Sequence, residues 1–308
     1  MKTEYDVIII GGGPAGLSAG IYTARARLTS LLIERNTVGG LIADAELVEN
    51  YPGFPKGISG YKLTHLMEQQ AQIFGLETLA AEVNGIKLKD ESGVVETTQG
   101  EFTAKAVIIA GGCERTKLGV PGEVELTGKG VSYCATCDAF FFRDQPVAIV
   151  GGGNSAISEA LQLTKFASSV TVIHRRQELR ATRILQEKAF AEPKIDFLWN
   201  KVVESIEGED VVKKLKLRDV ITDEKSTLDV AGIFVSTGLN PSTNHLKGIL
   251  ALDEAGYIIT NEKMETDAPG IFAAGDIRHS SIRQTIAAAG DGAVAAIYAE
   301  RFITHTAK

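Results

Sequence analysis

Cysteine is scarce in this chain, and so are the residues that would help it hold a metal. Its 308 residues include three cysteines and five histidines. An odd, small cysteine set argues against a secreted disulfide framework and for a reducing compartment, so a cytoplasmic protein is expected. A metal site would want a second cysteine pair or histidines at ligand spacing. Cys113 and the scattered His65, His174, His245, His279 and His305 supply neither, so no metal is expected. An excess of positive charge is missing as well. The formal net charge is -7, the pI is about 5.4 and no basic run appears, which excludes a nucleic-acid partner. No stretch approaches the roughly eighteen apolar residues of a membrane span. Met1–Asp6 leads directly into the apolar Val7–Ile10, so no signal peptide is visible and no membrane partner is expected. What remains is a globular chain of ordinary apolar content, 44%, and of a length that suits two domains.

Two of the three cysteines stand together, in Cys134-Ala135-Thr136-Cys137-Asp138. Such a pair closes and reopens a small disulfide and so stores two electrons. Asp138 is placed to move a proton as general acid/base, to cap a helix beginning near Ala139, or to do both. Cys113 reads as a small buried residue at a strand end. His245 and His279 read as ordinary loop histidines.

Residues 5–10 are a β-branched apolar run that ends on Gly11-Gly12-Gly13-Pro14-Ala15-Gly16, and a helical pattern follows from Leu17 to about Arg27. A second strand, Ser30–Ile33, ends in Glu34. Strand, Gly-x-Gly-x-x-Gly, helix and acid are the parts of a dinucleotide site. The glycines permit the turn and the approach of a pyrophosphate to the helix N-terminus, and the acid bonds the ribose hydroxyls. Residues 39–61 read as ordered loop and Leu63–Phe74 as helix. Short strands with turns at Gly85 and Gly93 fill Glu77–Glu101, and Val107–Gly112 is a buried strand ending on glycines. The Pro121-Gly122 turn reads as a linker.

The unit then recurs. Val147–Val150 leads into Gly151-Gly152-Gly153-Asn154-Ser155-Ala156, a helix to about Ala167, a strand Val170–Ile173, and His174-Arg175-Arg176 with Arg180 beyond. Gly11 to Glu34 and Gly151 to His174 both span twenty-three residues. The first unit ends in an acid, which repels a ribose 2′-phosphate; the second ends in arginines, which grip one. A nucleotide with a free ribose, FAD or NAD, is expected in the first and NADPH in the second. Ile233–Gly238 and Ile271–Asp276 repeat the strand-to-glycine ending, and an alanine-rich helix runs from Arg283-Gln284-Thr285 to about Ile303. The expected fold is α/β: two Rossmann-like, three-layer nucleotide-binding domains, the second inserted into the first. Residues 1–116 and 247–308 form the discontinuous domain and 117–246 the insert, which carries the cysteine pair.

These motifs, in this order and over essentially the whole chain, resemble the low-molecular-weight thioredoxin reductases, a branch of the flavin disulfide reductases. Glu-Asn-Tyr-Pro-Gly at 49–53, His-Arg-Arg-x-x-x-Arg at 174–180 and Ala-Ala-Gly-Asp at 273–276 carry the resemblance beside the glycine loops and the cysteine pair. It implies FAD in the discontinuous domain, NADPH in the insert, a homodimer and a domain rotation during turnover. It also implies hydride passing from NADPH to FAD, electrons passing to Cys134–Cys137, and reduction of a thioredoxin or thioredoxin-like protein. Cys137 would then face the flavin, and Cys134 would attack the partner. The implied FAD residues are Gly11, Gly12, Gly13, Pro14, Ala15, Gly16, Glu34, Arg35, Gly39, Gly40, Leu41, Asn50, Val83, Gly111, Gly275, Asp276, Arg283, Gln284 and Thr285. Those for NADPH are Gly151, Gly153, Asn154, Ser155, Ala156, His174, Arg175, Arg176, Arg180 and Gly238. The chain departs from the pattern at Leu41 (usually glutamine), Ala139 (usually glycine) and Gly111-Gly112-Cys113 (usually Thr-Gly-Ala). Three other readings of the scaffold remain: a reductase fed by ferredoxin or F420, a flavin dithiol oxidase, and a flavin-loaded redox sensor.

Overall fold

A computed structural model describes residues 2–45, 47–89 and 92–306. The chain forms two compact units, one of residues 1–114 and 240–308, the other of residues 115–239. The crossings fall in a two-stranded ribbon of Cys113–Arg115 with Leu239–Pro241. The expected linker at Pro121-Gly122 lies instead inside the second unit. There the Pro121 carbonyl accepts the Ile206 amide at 2.9 Å, and a side chain at Gly122 would collide with the Ile206 carbonyl. Residues 240–246 belong to the first unit because Leu246 is fully buried in its core.

In the first unit, Glu4–Ile10 is flanked in parallel by Ser30–Glu34 and by Gly100–Ile109, with Glu77–Ala80 beyond Ser30–Glu34. Gly100–Ile109 changes partner along its length. Its first half pairs antiparallel with Ser92–Thr97, and its second half pairs in parallel with Ile271–Ala273. The central strand alternates as a doubly covered strand must. Val7 and Ile9 enter the core under the helices Pro14–Arg25, Gly60–Ile73 and Thr285–Thr306, while Ile8 and Ile10 enter the core on the other face.

Three local expectations need correcting. The loop 39–61 contains a short 3-10 helix, Gly40–Asp44, and the following helix starts at Gly60, where Ser59 Oγ accepts the Lys62 amide. Gly85 and Gly93 are not turns. Gly85 follows a register shift within Val83–Lys89, and Gly93 lies in a strand against Val107, where a side chain would not fit. The last helix continues past Ile303 to Thr306.

The second unit repeats the plan. Pro146–Val150 is flanked in parallel by Ser169–His174 and Gly232–Val235, with Ile195–Trp199 and Val131–Ser132 at the edges. Val147 and Ile149 face one core, Ala148 and Val150 the other. An antiparallel sheet of Lys201–Glu207, Lys214–Asp219 and Lys225–Asp229 completes it.

Candidate active site

The second unit carries the cysteine pair at the end of the edge strand Val131–Ser132. Cys134 and Cys137 are bonded, with Cα atoms 5.4 Å apart. Cys134 caps the single turn Ala135–Asp138, and its sulfur accepts the Cys137 amide at 3.1 Å. An amide donating to sulfur favours its thiolate once the pair opens. Asp138 makes no side-chain cap to the following turn, so the capping alternative falls away. Its Oδ2 accepts the Ser132 hydroxyl at 2.6 Å, and Ser132 Oγ accepts the Cys134 amide at 3.1 Å. Tyr133, beside the pair, donates its hydroxyl to Glu123 at 2.8 Å. Burial and that carboxylate push the phenol up to about 12. Glu123 is itself buried and also accepts the Leu118 and Gly119 amides, at 2.8 and 2.6 Å. Phe140 and Phe141 follow the pair on the surface, 60% and 72% exposed.

In the same unit, Gly151 takes a positive φ of 150°, and the helix Asn154–Leu163 begins after Gly153 with no side-chain cap. Nothing lies within 4 Å of where a Gly153 side chain would start. Open amides at a helix start are an anion receptor. Ala156 is buried against Gly151, and Ser155 is exposed beside it. Asn154 is exposed, and its Oδ1 accepts the Thr182 amide at 2.7 Å. Gly152 accepts the Arg180 and Ala181 amides at 2.7 and 3.1 Å, which fixes the arginine segment to the glycine loop. His174 is buried under Gly152, with Nε2 3.1 Å from the Glu178 carbonyl. Burial, opposed by that contact and assisted by the three arginines, lowers its pKa. It is thus a neutral spacer rather than a surface ligand. Arg175, Arg176 and Arg180 are exposed, and no carboxylate pairs with them among the described residues. Gly238 is exposed, and its carbonyl accepts the Thr116 amide.

The first unit repeats the cradle. Gly11 has φ 106°, and the helix Pro14–Arg25 begins after Gly13 with proline in its first turn and no side-chain cap. Glu34 Oε2 accepts the Gly12 amide at 2.7 Å. Gly39 donates to the Gly12 carbonyl at 2.9 Å, Gly40 lies against Gly13, Gly111 against Gly11, and Gly275 against Ala15. Gly16 is buried against the Gly11 carbonyl. Asn50 and Gln284 are joined at 2.9 Å. Asp276 accepts the Ser281 hydroxyl at 3.2 Å, and burial raises its pKa. Arg283 donates to the Tyr257 hydroxyl at 2.6 Å. Arg35 is turned to Glu114, at 2.5 Å. Leu41 is 39% exposed, Val83 is half-buried, and Thr285 opens the last helix. Cys113 is buried, as expected, and its thiol is pushed up to about 11 by burial and Asp276.

Several supporting residues escape a motif reading. Ser132, Glu123 and Tyr257 each make a side-chain bond to a partner 6 to 26 positions away. Asp291 sits inside a helix, yet it clamps Arg278 through two bonds of 2.6 and 3.0 Å and accepts the Gly275 amide. Only the burial of an acid among alanines hints at it.

The profile of the pyridine nucleotide-disulphide oxidoreductases matches residues 5–292. The chain is 48% identical over 300 residues to a thioredoxin reductase of Bacillus subtilis, covering 97% of this chain and 95% of that one. It is 46% identical over 309 residues to one of Peptoclostridium acidaminophilum, covering 98% of each. The chain belongs to the thioredoxin reductases of the pyridine nucleotide-disulphide oxidoreductase family. A crystal structure of Lactococcus lactis thioredoxin reductase matches with a TM-score of 0.95 at 43% identity, over 98% of this chain and 99% of that one. Membership in this family implies flavin and pyridine nucleotide use, and the residues present fit both. Each unit offers one open glycine loop, and in the second the exposed Arg175, Arg176 and Arg180 follow it with no carboxylate partner among the described residues.

Proposed function

We propose that the chain reduces the disulfide of a thioredoxin at the expense of NADPH, with FAD held by the first unit and NADPH by the second. The observation that carries this reading is the bonded Cys134–Cys137 pair, followed by Asp138 held by the Ser132 hydroxyl at 2.6 Å, in the unit that also holds three arginines without a carboxylate partner among the described residues beside an open glycine loop. Gly11–Gly16, Glu34, Asn50, Asp276, Arg283 and Gln284 would hold FAD, which when bound supplies the two-electron relay between nicotinamide and disulfide. Arg175, Arg176 and Arg180 bind the 2′-phosphate, and the amides after Gly153 take the pyrophosphate. With the pair reduced, the Cys137 amide steadies the Cys134 thiolate, which attacks the partner disulfide. Cys137 then displaces the partner and reforms the pair. Asp138 holds and moves the proton that this exchange requires. Phe140 and Phe141 give the partner an apolar contact beside the sulfurs.

The unpaired arginines favour NADPH over a ferredoxin- or F420-type donor. A homodimer in the cytoplasm is the expected setting. Leu66 and Ile73, exposed one heptad apart on one helix of the first unit, offer it an apolar face. Among the described residues no helix is long and apolar enough to cross a membrane. Anaerobic titration of the purified protein with NADPH and with NADH, followed by addition of thioredoxin, tests the reading. NADPH should bleach a bound flavin at far lower concentration than NADH, and thioredoxin should restore the colour. A colourless protein, or a flavin that NADPH leaves oxidised, would refute it.

A further inference from the structure

We propose that Ser132 is a positioning residue whose hydroxyl serves Asp138 in both of its protonation states, so that the acid can cycle without losing its partner. The inference rests on reading Cys134–Cys137 as the redox pair and Asp138 as its proton carrier.

Ser132 ends a buried strand and is itself only 4% exposed, which leaves its hydroxyl few directions. Two acceptors lie within its reach: Asp138 Oδ2 at 2.6 Å and the Cys134 carbonyl at 3.3 Å. Its oxygen meanwhile receives the Cys134 amide at 3.1 Å. A hydroxyl has one hydrogen and two lone pairs, and it rotates to suit its neighbours. While Asp138 is a carboxylate, the hydrogen points to Oδ2 in a short, charge-assisted bond. When Asp138 takes a proton, the carboxyl O–H donates to Ser132 Oγ, and the serine hydrogen turns to the Cys134 carbonyl. The oxygen then receives two donors and gives one, so every polar group stays paired. A backbone amide or a lysine could not do this, because each only donates.

The proton count closes. Opening the S–S bond with the two electrons of a reduced nicotinamide leaves two sulfur anions. Protonated Asp138 gives its proton to one of them and becomes the carboxylate. When the pair recloses on the thioredoxin disulfide, the thiol is deprotonated and the carboxylate takes the proton back, while the two partner thiolates are protonated by the equivalent of the proton carried in the hydride and by one from solvent. Ser132 neither gains nor loses a proton in either direction. What it sets is the position of the acid and the ease with which each form persists. An unpaired carboxyl at this half-buried spot would favour one form and lose its fixed orientation.

The test uses the flavin-loaded protein, NADPH and a bacterial thioredoxin, with kcat and KM followed against pH for Ser132→Ala, Ser132→Thr, Asp138→Asn and the double variant S132A/D138N. Ser132→Ala should lower kcat on the order of tenfold, with KM for thioredoxin unchanged and the pH profile shifted. Ser132→Thr, which keeps a rotating hydroxyl, should stay within about twofold of the parent with its pH profile. Adding S132A to D138N should cost nothing more, because the serine acts through the acid. Ser132→Gly also removes the hydroxyl and takes the place of alanine should that variant not fold. Parental kcat and pH profile in the hydroxyl-free variant would overturn the inference, and so would an undiminished loss in the D138N background. If D138N itself turns over thioredoxin like the parent, the assignment of Asp138 as proton carrier is what has failed.

Discussion

Two residues in corresponding places show how one scaffold is tuned for two nucleotides. Glu34 and His174 each end the strand that follows the glycine loop and its helix, and each lies against the middle glycine of that loop. The acid accepts the Gly12 amide at 2.7 Å on Oε2 and the Asn36 amide at 2.9 Å on Oε1, which fixes the carboxylate and leaves further lone pairs for a ribose diol. The imidazole fills the space under Gly152 and spends Nε2 on the Glu178 carbonyl at 3.1 Å, within the segment that brings up Arg180. It also packs edge-on to Trp199, with centroids 6.4 Å apart. Replacing His174 by phenylalanine keeps a ring on Trp199 but loses the tie to residue 178. Calorimetry should then show 2′,5′-ADP binding weakened by about tenfold, one lost bond's worth, with NAD+ affinity unchanged. The same variant reports on pH. Burial lowers the pKa of His174 from 6.5, so below that pH the unfolded chain takes up a proton that the native ring refuses. Native stability therefore falls as pH drops through 6.5, toward the lowered folded value, and His174→Phe should make that fall shallower in thermal melts at pH 5 to 7. The position of this residue was visible in the sequence from the twenty-three-residue spacing. Its neutral, buried role was not, because nothing in His-Arg-Arg says which of three basic residues turns inward.

At the level of elements, what the sequence displayed best was what local chemistry decides. Glycine followed by proline marks the start of the helix Pro14–Arg25 because proline suits a first turn and glycine a cradle. The unbroken apolar run Val7–Ile10 marks the strand Glu4–Ile10 because both faces of that strand are covered. What escaped were glycines placed by distant partners. Gly93 looks like a turn residue, yet it is a strand position crowded by Val107. Gly292 looks like a helix weakener, yet it is where the last helix meets the first. A side chain at 292 would run into the Ala15 carbonyl and the Ala19 amide of Pro14–Arg25. That contact is backbone against backbone, so no rotamer change relieves it. Gly292→Ala should therefore destabilise the protein by about 1–3 kcal/mol, despite alanine's better helix propensity. Differential scanning calorimetry would show a lowered midpoint. A raised midpoint would mean that the two helices can separate at little cost.

For the molecule as a whole, the sequence displayed the repeat and drew its seams at 116/117 and 246/247, where contacts divide the chain at 114/115 and 239/240; Pro121-Gly122, which looks like a linker, is packed on Ile206 instead. Residues 115–239 are contiguous in the chain, while the other unit is made of two separated segments. The insert has its own five-stranded sheet and two apolar cores, one on each face, and so has what an independent domain needs. The first unit, in contrast, needs the strand Ile271–Ala273 and the helix Thr285–Thr306 from beyond the insert to cover Gly100–Ile109 and Pro14–Arg25. Expressed alone, residues 115–239 should fold, show cooperative thermal unfolding and keep Cys134 and Cys137 able to join and part under a dithiol buffer. They should also bind 2′,5′-ADP, since Gly151–Gly153 and all three arginines lie within them, and should retain no FAD. A truncation ending near residue 239 from the N-terminal side should leave the first unit open and insoluble, because its central sheet would lose a strand and its longest helix. A 115–239 fragment that remains unfolded would show that the insert draws its stability from the domain it interrupts, and that two apolar cores do not by themselves make a folding unit.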